Sequence, residues 1–309
     1  MEINSVALIG AGAVGCYLIR ALSQKPSVDL MVVADGERKK RFETEGFLIN
    51  SETYRPKVVT PEQARGADLI IVAVKYNSLR PALADIRTVA DDHSVVMSLM
   101  NGVDSEEIIG EVIPKEQILH ALIKVASERN GNSVKFDPET TIGMIFGEVD
   151  PGRSAERTDA LVRLFEGTDL HYRVTDCILS EIWSKFLLNV GNNQPQAMVG
   201  CGVGAYRDSE HMAFFRDNLR AEVIAIAEAK GIDLSKAAGS SKAGSKVADR
   251  ARYSTLQDLD AHRHTEVDMF ALTVVRMGRE MGIPTPCNEF TYHMIKALEE
   301  KNDGLFDYE

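Results

Sequence analysis

The 309-residue sequence predicts an α/β fold, in which an N-terminal doubly wound sheet domain over residues 1–176 precedes an all-helical domain over residues 177–309. Short apolar runs alternate with helical patterns in the first part of the chain. A glycine-rich turn joins the first of these runs to the first helix. After residue 176, helical periodicity dominates to the end. These three observations together predict the fold class.

The charge and cysteine content exclude several classes of function. A formal net charge of −11 leaves no basic excess to neutralise phosphates, which argues against a nucleic-acid or membrane-surface partner. No run approaches the roughly 18 apolar residues of a transmembrane helix, and we expect a cytoplasmic protein. We expect reduced thiols and no metal site, because the four cysteines are widely scattered: Cys16, Cys177, Cys201 and Cys287.

The first motif is a strand, a glycine turn and a helix. An apolar run at 5–9 is followed by GAGAVG, in which Gly10 permits a tight turn, Gly12 lets backbone approach a pyrophosphate, and Gly15 lets the helix pack closely. The helical pattern follows this turn from Cys16, so the helix N-terminus faces the anion, and Ala13 and Val14 of the turn are candidate cofactor contacts. This context predicts a Rossmann-type dinucleotide-binding domain rather than a purely structural glycine turn.

The second strand, at residues 29–34, ends in Asp35. An acid at this place commonly accepts hydrogen bonds from the adenosine ribose, which favours NAD(H). A basic run begins at Arg38 and could instead bind the 2′-phosphate of NADP(H), although the same residues could form the solvated start of a helix.

Two further buried strands are predicted at 67–74 and 94–100, and they lead into Lys75 and into Asn101-Gly102. Ligands of open α/β sheets bind at the carboxyl ends of the strands, so both side chains are candidates for the site. The alternative is a solvated loop lysine and an ordinary Asn-Gly turn. Three more strand-like segments extend the sheet: 120–127, 141–148 and 171–175.

Periodicity predicts five helices in the second domain, with a loop at 237–246: 178–199, 210–230, 242–260, 262–281 and 287–301. The first of them carries Lys185, Asn189 and Asn193 at intervals of four residues, so these polar groups share one face of an apolar helix. They would be satisfied by a polar ligand. The alternative is that Lys185 reaches solvent and the asparagines bind nearby backbone.

The helix predicted from His262 carries Glu266 in a charged first turn, with Ser254 twelve residues upstream. A solvated helix face explains these charges by itself. A carboxylate in the same domain as the polar-faced helix could instead pair with Lys185.

These motifs resemble the ketopantoate reductase (2-dehydropantoate 2-reductase) family over nearly the whole chain. The resemblance is carried by the glycine fingerprint, Lys75, Asn101-Gly102, WSKxxxNxxxN at 183–193, SxxxDxxxxRxTExD at 254–268 and GIPTP at 282–286. It implies that Lys185 is the catalytic acid and that Glu266 orients this lysine and binds substrate. It also implies substrate contacts for Asn189, Asn193, Ser254 and Asn101, with Lys75 and Asn101 lining the cofactor site.

The resemblance implies an NADP(H)-dependent oxidoreductase that reduces 2-dehydropantoate to pantoate, a step of pantothenate and coenzyme A biosynthesis. The active site would lie in a cleft between the two domains, and a homodimer is possible. Two alternatives stay open, namely a reductase of another branched 2-oxo acid and a non-catalytic nucleotide-binding sensor. NAD(H) remains the competing cofactor because of Asp35.

Overall fold

The computed structural model describes residues 1–130, 133–139, 141–150, 152–238 and 248–306. The chain forms two compact units, Met1–Ile178 and Leu179–Glu309, divided two residues beyond the boundary expected from the sequence. The loop predicted at 237–246 lies almost entirely outside the described residues.

Unit 1 (Met1–Ile178) contains an eight-stranded sheet with the order β12-β11-β8-β7-β6-β1-β2-β5. Six of its strands are mutually parallel, while β11 runs antiparallel to β8 and parallel to β12. The sheet is built from β1 Ser5–Ile9, β2 Asp29–Val33, β5 Lys57–Val59, β6 Leu69–Val72, β7 Val95–Ser98, β8 Ile118–Lys124, β11 Gly143–Gly147 and β12 Tyr172–Val174. The strands expected near 120, 141 and 171 are confirmed as β8, β11 and β12.

Both faces of this sheet are buried, as its continuous apolar strands require. Along β1, Val6 and Leu8 join one hydrophobic core, whereas Ala7 and Ile9 join the other. The first core receives α1 Ala13–Leu22 and α5 Glu156–Phe165, and the second receives α3 Leu79–Val89. Two other helices are α2 Gly36–Glu45 and the short α4 Ser105–Ile109. The predicted doubly wound architecture is confirmed.

A second, four-stranded sheet was not expected from the sequence. Its order is β4-β3-β10-β9, formed by β3 Phe47–Ile49, β4 Glu52–Tyr54, β9 Ser127–Asn130 and β10 Ser133–Phe136. Strands of three or four residues are too short to show a clear alternation of apolar and polar residues, which is the signal that identifies a strand in sequence.

Unit 2 (Leu179–Glu309) is helical throughout its described part. Its helices are α6 Ile178–Val199, which begins at the last residue of unit 1, α7 Ala205–Asp208, α8 Glu210–Ala229, α9 Ser254–Asp260, α10 Thr273–Met281 and α11 Pro286–Asn302. A π-helical turn, Asp268–Leu272, leads directly into α10. None of the described helices is long and apolar enough to cross a membrane.

Two predicted helix boundaries in unit 2 are wrong. Residues 242–247 of the helix expected over 242–260 lie outside the described residues, and within 248–260 only α9 is helical, because residues 248–253 make their hydrogen bonds elsewhere. The helix expected from 262 begins five or six residues later, since His262 has φ +50° and the Arg263 amide donates to the Asp258 carbonyl. The Arg263 side chain also binds Asp258, with Nε 2.8 Å from Oδ1, which holds residues 262–266 as a loop.

Candidate active site

The carboxyl ends of four adjacent parallel strands carry the predicted residues of unit 1. The order β7-β6-β1-β2 places Asn101, Lys75, Gly10 and Asp35 just beyond the ends of four neighbouring strands, which lie about 4.8 Å apart in a sheet. Lys75 and Asp35 are exposed, and Asn101 is half-buried. This edge is where a ligand of an open α/β sheet binds.

The three glycines of the turn have different surroundings. Gly10 has φ +104°, and a Cβ there would lie 2.5 Å from the Ala73 carbonyl oxygen, whereas a Cβ on Gly15 would lie 2.2 Å from the Gly10 carbonyl oxygen. Gly12 has ordinary dihedral angles and nothing within 4 Å of its Cβ position. The open space at Gly12, before the uncapped helix start at Ala13 and Val14, fits a pyrophosphate.

This difference yields a paired prediction for alanine substitutions. Gly12→Ala is expected to leave the free energy of unfolding unchanged within about 0.5 kcal/mol and to weaken nicotinamide-dinucleotide binding at least about tenfold. Gly15→Ala is expected to lower the free energy of unfolding by about 1–3 kcal/mol, because its Cβ overlaps backbone. Denaturant unfolding and calorimetric titration measure both quantities. Unchanged dinucleotide affinity in the folded Gly12→Ala variant would contradict a cofactor role for this space.

Carboxylates outnumber cations around the end of β2. Asp35 precedes α2 without capping it, and burial together with the charges of Asp35 and Glu62 raises the pKa of Asp85, against the lowering effect of Arg38. Arg38 is exposed and makes no salt bridge to any described residue. The other basic residues of this run bind groups of the protein itself. Lys39 donates to Glu43 and to the Val58 carbonyl, Lys40 donates to Glu37, and the Arg41 guanidinium lies over the Phe42 ring.

A buried polar cluster lies around the loop that carries Asn101. The Met100 amide donates to the Ser98 hydroxyl, which is 2.8 Å from the Ser105 hydroxyl, and Ser105 in turn donates to Glu106 Oε2 at 2.8 Å. The Tyr76 hydroxyl, next to Lys75, donates to buried Asp104 at 2.7 Å. The two loops with predicted site residues are therefore joined by hydrogen bonds.

Glu106 makes the stability of unit 1 depend on pH. Burial raises its pKa from 4.5 to about 7, and the nearby Asp104 and Glu107 charges add to this effect. The folded state therefore binds a proton more readily than the unfolded state, so the contribution present in acid is lost as pH rises through this range, by about 3 kcal/mol at most. We expect the stability of Glu106→Gln to decline less than that of wild type between about pH 5 and about pH 8.

Urea unfolding at several pH values measures this difference. Exposed Glu116 of the same unit provides the control, because it is not one of the charges that raise the pKa of Glu106, and Glu116→Gln is expected to follow the wild-type curve. Desolvation lowers the pKa of half-buried His120 to about 4, which makes stability rise with pH below the ordinary histidine pKa, but this effect is the same in all three proteins. Parallel curves for wild type and Glu106→Gln would show that Glu106 is not the group that titrates.

In unit 2, α6 carries its predicted polar face. Lys185 and Asn189 are half-buried, Asn193 is 6% exposed, and Trp183 and Val190 on other sides of the helix are buried. The face is longer than the sequence analysis recognised. At about 100° per residue, Glu181, Asn192 and Gln196 also fall within the same sector of roughly 120°.

Gln196 connects this face to the segment before Ser254. Its Oε1 accepts from the Tyr253 amide at 2.7 Å, and its Nε2 donates to the Ala251 carbonyl at 3.0 Å. Gln196 is fully buried, whereas Ser254 at the start of α9 is exposed. The two hydrogen bonds fix the approach of Ser254 to the helix that carries Asn193.

We expect Gln196→Met to raise KM for the substrate by about tenfold and to change kcat little, because it removes two hydrogen bonds worth roughly 1 kcal/mol each without opening a cavity. Gln194→Met is the matched control. Gln194 is equally buried, but its Nε2 donates only to the Val190 carbonyl of the same helix, at 3.2 Å. Steady-state kinetics and the hydrogen exchange of the Tyr253 amide report the effect. Equal KM changes in the two variants would refute the positioning of Ser254 by Gln196.

Glu266 lies in the loop that precedes the π-helical turn, and it is half-buried. Its neighbour Thr265 donates through both amide and hydroxyl to Glu299 Oε1, at 2.7 and 2.6 Å, while Lys296 donates to Glu299 Oε2 at 2.6 Å. Burial tends to raise the pKa of Glu299, but the bonds from Lys296 and Thr265 lower it below its usual value. A buried carboxylate on α11 thus holds the backbone next to Glu266.

Each unit therefore gathers its own set of predicted residues. Unit 1 aligns Gly10, Gly12, Ala13, Val14, Gly15, Asp35, Arg38, Lys75 and Asn101 at or beside the carboxyl edge of its sheet, and unit 2 holds Lys185, Asn189, Asn193, Ser254 and Glu266 on or beside α6 and the loops of its helices. Their roles remain predictions. Across the described ranges, no three His, Cys, Asp or Glu side chains could together hold a metal ion.

The sequence analysis did not identify the residues that flank or hold the predicted site residues. Glu181 lies four residues before Lys185, and Gln196 lies four residues after Asn192. The spacing that identified Lys185 could therefore have revealed this part of the polar face as well. Glu299 binds Thr265 from 34 residues away, and Asp104 binds Tyr76 from 28 residues away, so no local pattern indicates these contacts.

Two sequence models of one protein family match this chain. Residues 6–147 match "Ketopantoate reductase PanE/ApbA", and residues 177–299 match "Ketopantoate reductase PanE/ApbA C terminal". The 2-dehydropantoate 2-reductase of Archaeoglobus fulgidus is 27% identical over 305 aligned positions, which cover 97% of this chain and 99% of the relative.

Solved structures show the same fold. The PanE/ApbA family ketopantoate reductase of Ralstonia eutropha superposes with a TM-score of 0.81 at 24% identity, covering 97% of this chain and 99% of its own. A D-mandelate dehydrogenase solved with NADH and anilino(oxo)acetate also gives 0.81, at 20% identity, with coverage of 97% and 99%. From the family models that match both units, we conclude that the chain belongs to the ketopantoate reductase family and is an oxidoreductase that uses a nicotinamide cofactor.

Proposed function

We propose that this protein reduces a branched 2-oxo acid to the 2-hydroxy acid, with 2-dehydropantoate as the first candidate substrate. The observation that carries the proposal is the polar face of α6, on which an ammonium and two carboxamides lie opposite the buried apolar side chains of the same helix. Such groups match the oxygen atoms of a 2-oxo acid, because a carbonyl and a carboxylate only accept hydrogen bonds.

The residues of α6 supply what the reduction of a ketone needs. When bound, the nicotinamide supplies the hydride. Lys185, protonated at neutral pH, would donate the proton to the developing alkoxide and stabilise its negative charge. Asn189, Asn193 and Ser254 would hold the substrate oxygens. Glu266, fixed through Thr265 and Glu299, would orient Lys185 and bind the substrate hydroxyl.

For the dinucleotide, Gly10, Gly12 and Gly15 with the start of α1 would hold the pyrophosphate, and Lys75 and Asn101 would contact the cofactor at neighbouring strand ends. The family resemblance implies NADP(H). The charges around Asp35 favour NAD(H), because Asp35, Glu62 and Asp85 outnumber Arg38 where the 2′-phosphate would lie. We propose that NAD(H) is the preferred cofactor.

A panel of substrates tests the proposed reaction. Oxidation of NADH and NADPH is followed over a range of concentrations of 2-dehydropantoate, 3-methyl-2-oxobutanoate and 2-oxo-2-phenylacetate, the last because of the fold shared with D-mandelate dehydrogenase. We expect the highest kcat/KM with 2-dehydropantoate. A higher kcat/KM with another 2-oxo acid would contradict the proposed substrate but support the proposed type of reaction. No turnover with any of them would refute the proposed reduction.

A further inference from the structure

Arg220 on α8 is a half-buried cation without a salt bridge to any described residue. Its Nη2 donates to Asn192 Oδ1 at 2.8 Å, and its Nε is buried without a partner among the described residues. Burial, followed by the repulsion of Arg216, lowers the pKa of Arg220. The acid in reach, Asp217, is already bound by both Nε and Nη2 of Arg216, at 2.7 and 3.0 Å. The charge of Arg220 is therefore poorly compensated within the protein.

The position of Arg220 depends on a glycine of α6. A Cβ on Gly191 would lie 2.6 Å from Arg220 Cγ and 2.7 Å from Nε, so the arginine lies flat against the helix because this residue has no side chain. The end of Arg220 thereby reaches Asn192, which lies within about 20° of Lys185 on the helical projection. The guanidinium stands at the margin of the polar face of α6.

Two tyrosines complete the surroundings of this guanidinium. The Tyr206 hydroxyl donates to the Asn192 carbonyl, which fixes the backbone at the same level of α6. The charge of Arg220 also acts on Tyr253, the residue before Ser254. The half-buried cation therefore lies near two of the elements that carry the predicted substrate residues.

We propose that Arg220 binds the carboxylate of the 2-oxo acid. A half-buried guanidinium is stabilised by an anion, and planar Arg–carboxylate pairs form two parallel hydrogen bonds. Its Nη1 has no partner among the described residues and, unlike Nε, is not sealed from solvent, so it is available to an incoming carboxylate. A protein with a net charge of −11 also needs a local cation to attract an anionic substrate. This inference rests on the proposed 2-oxo acid reduction.

The kinetic test compares an acid with its neutral derivative. Arg220→Met is expected to raise KM for 3-methyl-2-oxobutanoate by about 10- to 100-fold, the worth of a charge-assisted hydrogen bond, and to leave KM for the corresponding 2-oxo amide unchanged. Arg220→Lys is expected to restore part of the lost affinity, because it keeps the charge without the planar fork. Arg279→Met is the control, because this exposed arginine of α10 pairs with Glu289, and it should retain wild-type KM. Equal losses for acid and amide, or no loss in Arg220→Met, would overturn the proposal.

A binding measurement separates this inference from the proposed function. Calorimetric titration with 3-methyl-2-oxobutanoate should show binding to wild type and Arg279→Met and at least tenfold weaker binding to Arg220→Met. Binding with this pattern in a protein that reduces no 2-oxo acid would refute the reaction and support the carboxylate site. Reduction with unaltered binding in Arg220→Met, or no binding to wild type, would refute the carboxylate site.

Discussion

Replacing Lys185 with alanine is expected to lower kcat for 2-dehydropantoate by at least about 10²-fold, the usual contribution of a general acid. The substitution removes both the proton donor and the positive charge that stabilises the alkoxide. Lys185→Arg is expected to be similarly slow, because arginine keeps the charge but does not release its proton near neutral pH. Steady-state kinetics at saturating cofactor and substrate measure the loss.

Lys230→Ala is the matched control, because this exposed lysine follows α8 in the same unit. It should retain wild-type turnover. Dinucleotide affinity should survive in Lys185→Ala, since the glycine turn that would bind the cofactor belongs to unit 1. Near-wild-type turnover by a folded Lys185→Ala protein would remove Lys185 from the mechanism.

The second large effect concerns the choice between the two cofactors. We expect kcat/KM for NADH to exceed that for NADPH by at least about tenfold, because the 2′-phosphate carries nearly two negative charges and each carboxylate within about 4 Å opposes it by roughly 1 kcal/mol per charge even in water. Asp35→Asn should shift the ratio toward NADPH by about the same factor. Arg38→Ala should change the ratio little.

Asp29→Asn is the control for Asp35→Asn, because Asp29 begins the strand that Asp35 follows and binds Lys57 at 3.0 Å. It should leave the cofactor ratio unchanged. If NADPH is preferred and Arg38→Ala abolishes that preference, then Arg38 rather than Asp35 decides the cofactor, as the family resemblance implies.

The parts of the fold predicted from sequence are those in which burial imposes a long, regular pattern. Strands β1, β6 and β7 are buried on both faces and therefore read as unbroken apolar runs. Helix α6 was predicted with its observed bounds, because its apolar positions recur over six turns around the spaced polar residues. The second sheet was missed because its strands are short and only partly buried, so none of them carries a long unbroken apolar run.

The features that escaped prediction depend on specific side-chain and backbone contacts, which periodicity does not reveal. The helix expected at His262 failed because Asp258 captures Arg263 through both backbone and side chain, a contact that no periodicity reveals. In the sequence, Arg220 lies close to other charged residues of α8, a pattern typical of a solvent-exposed helix face. Only the structure shows that the Arg220 side chain packs against Gly191, donates to Asn192 and has no salt bridge to any described residue.

The central claim is that this chain transfers a hydride to the keto carbon of a 2-oxo acid. The most direct measurement incubates the protein and 2-dehydropantoate with NADH deuterated at either of the two C4 positions and determines the mass of the hydroxy acid. We predict that one of the two labelled cofactors transfers its deuterium to C2 of the product and that Lys185→Ala slows this transfer. Product without deuterium from either cofactor, or no product with NADH or NADPH, would contradict the claim.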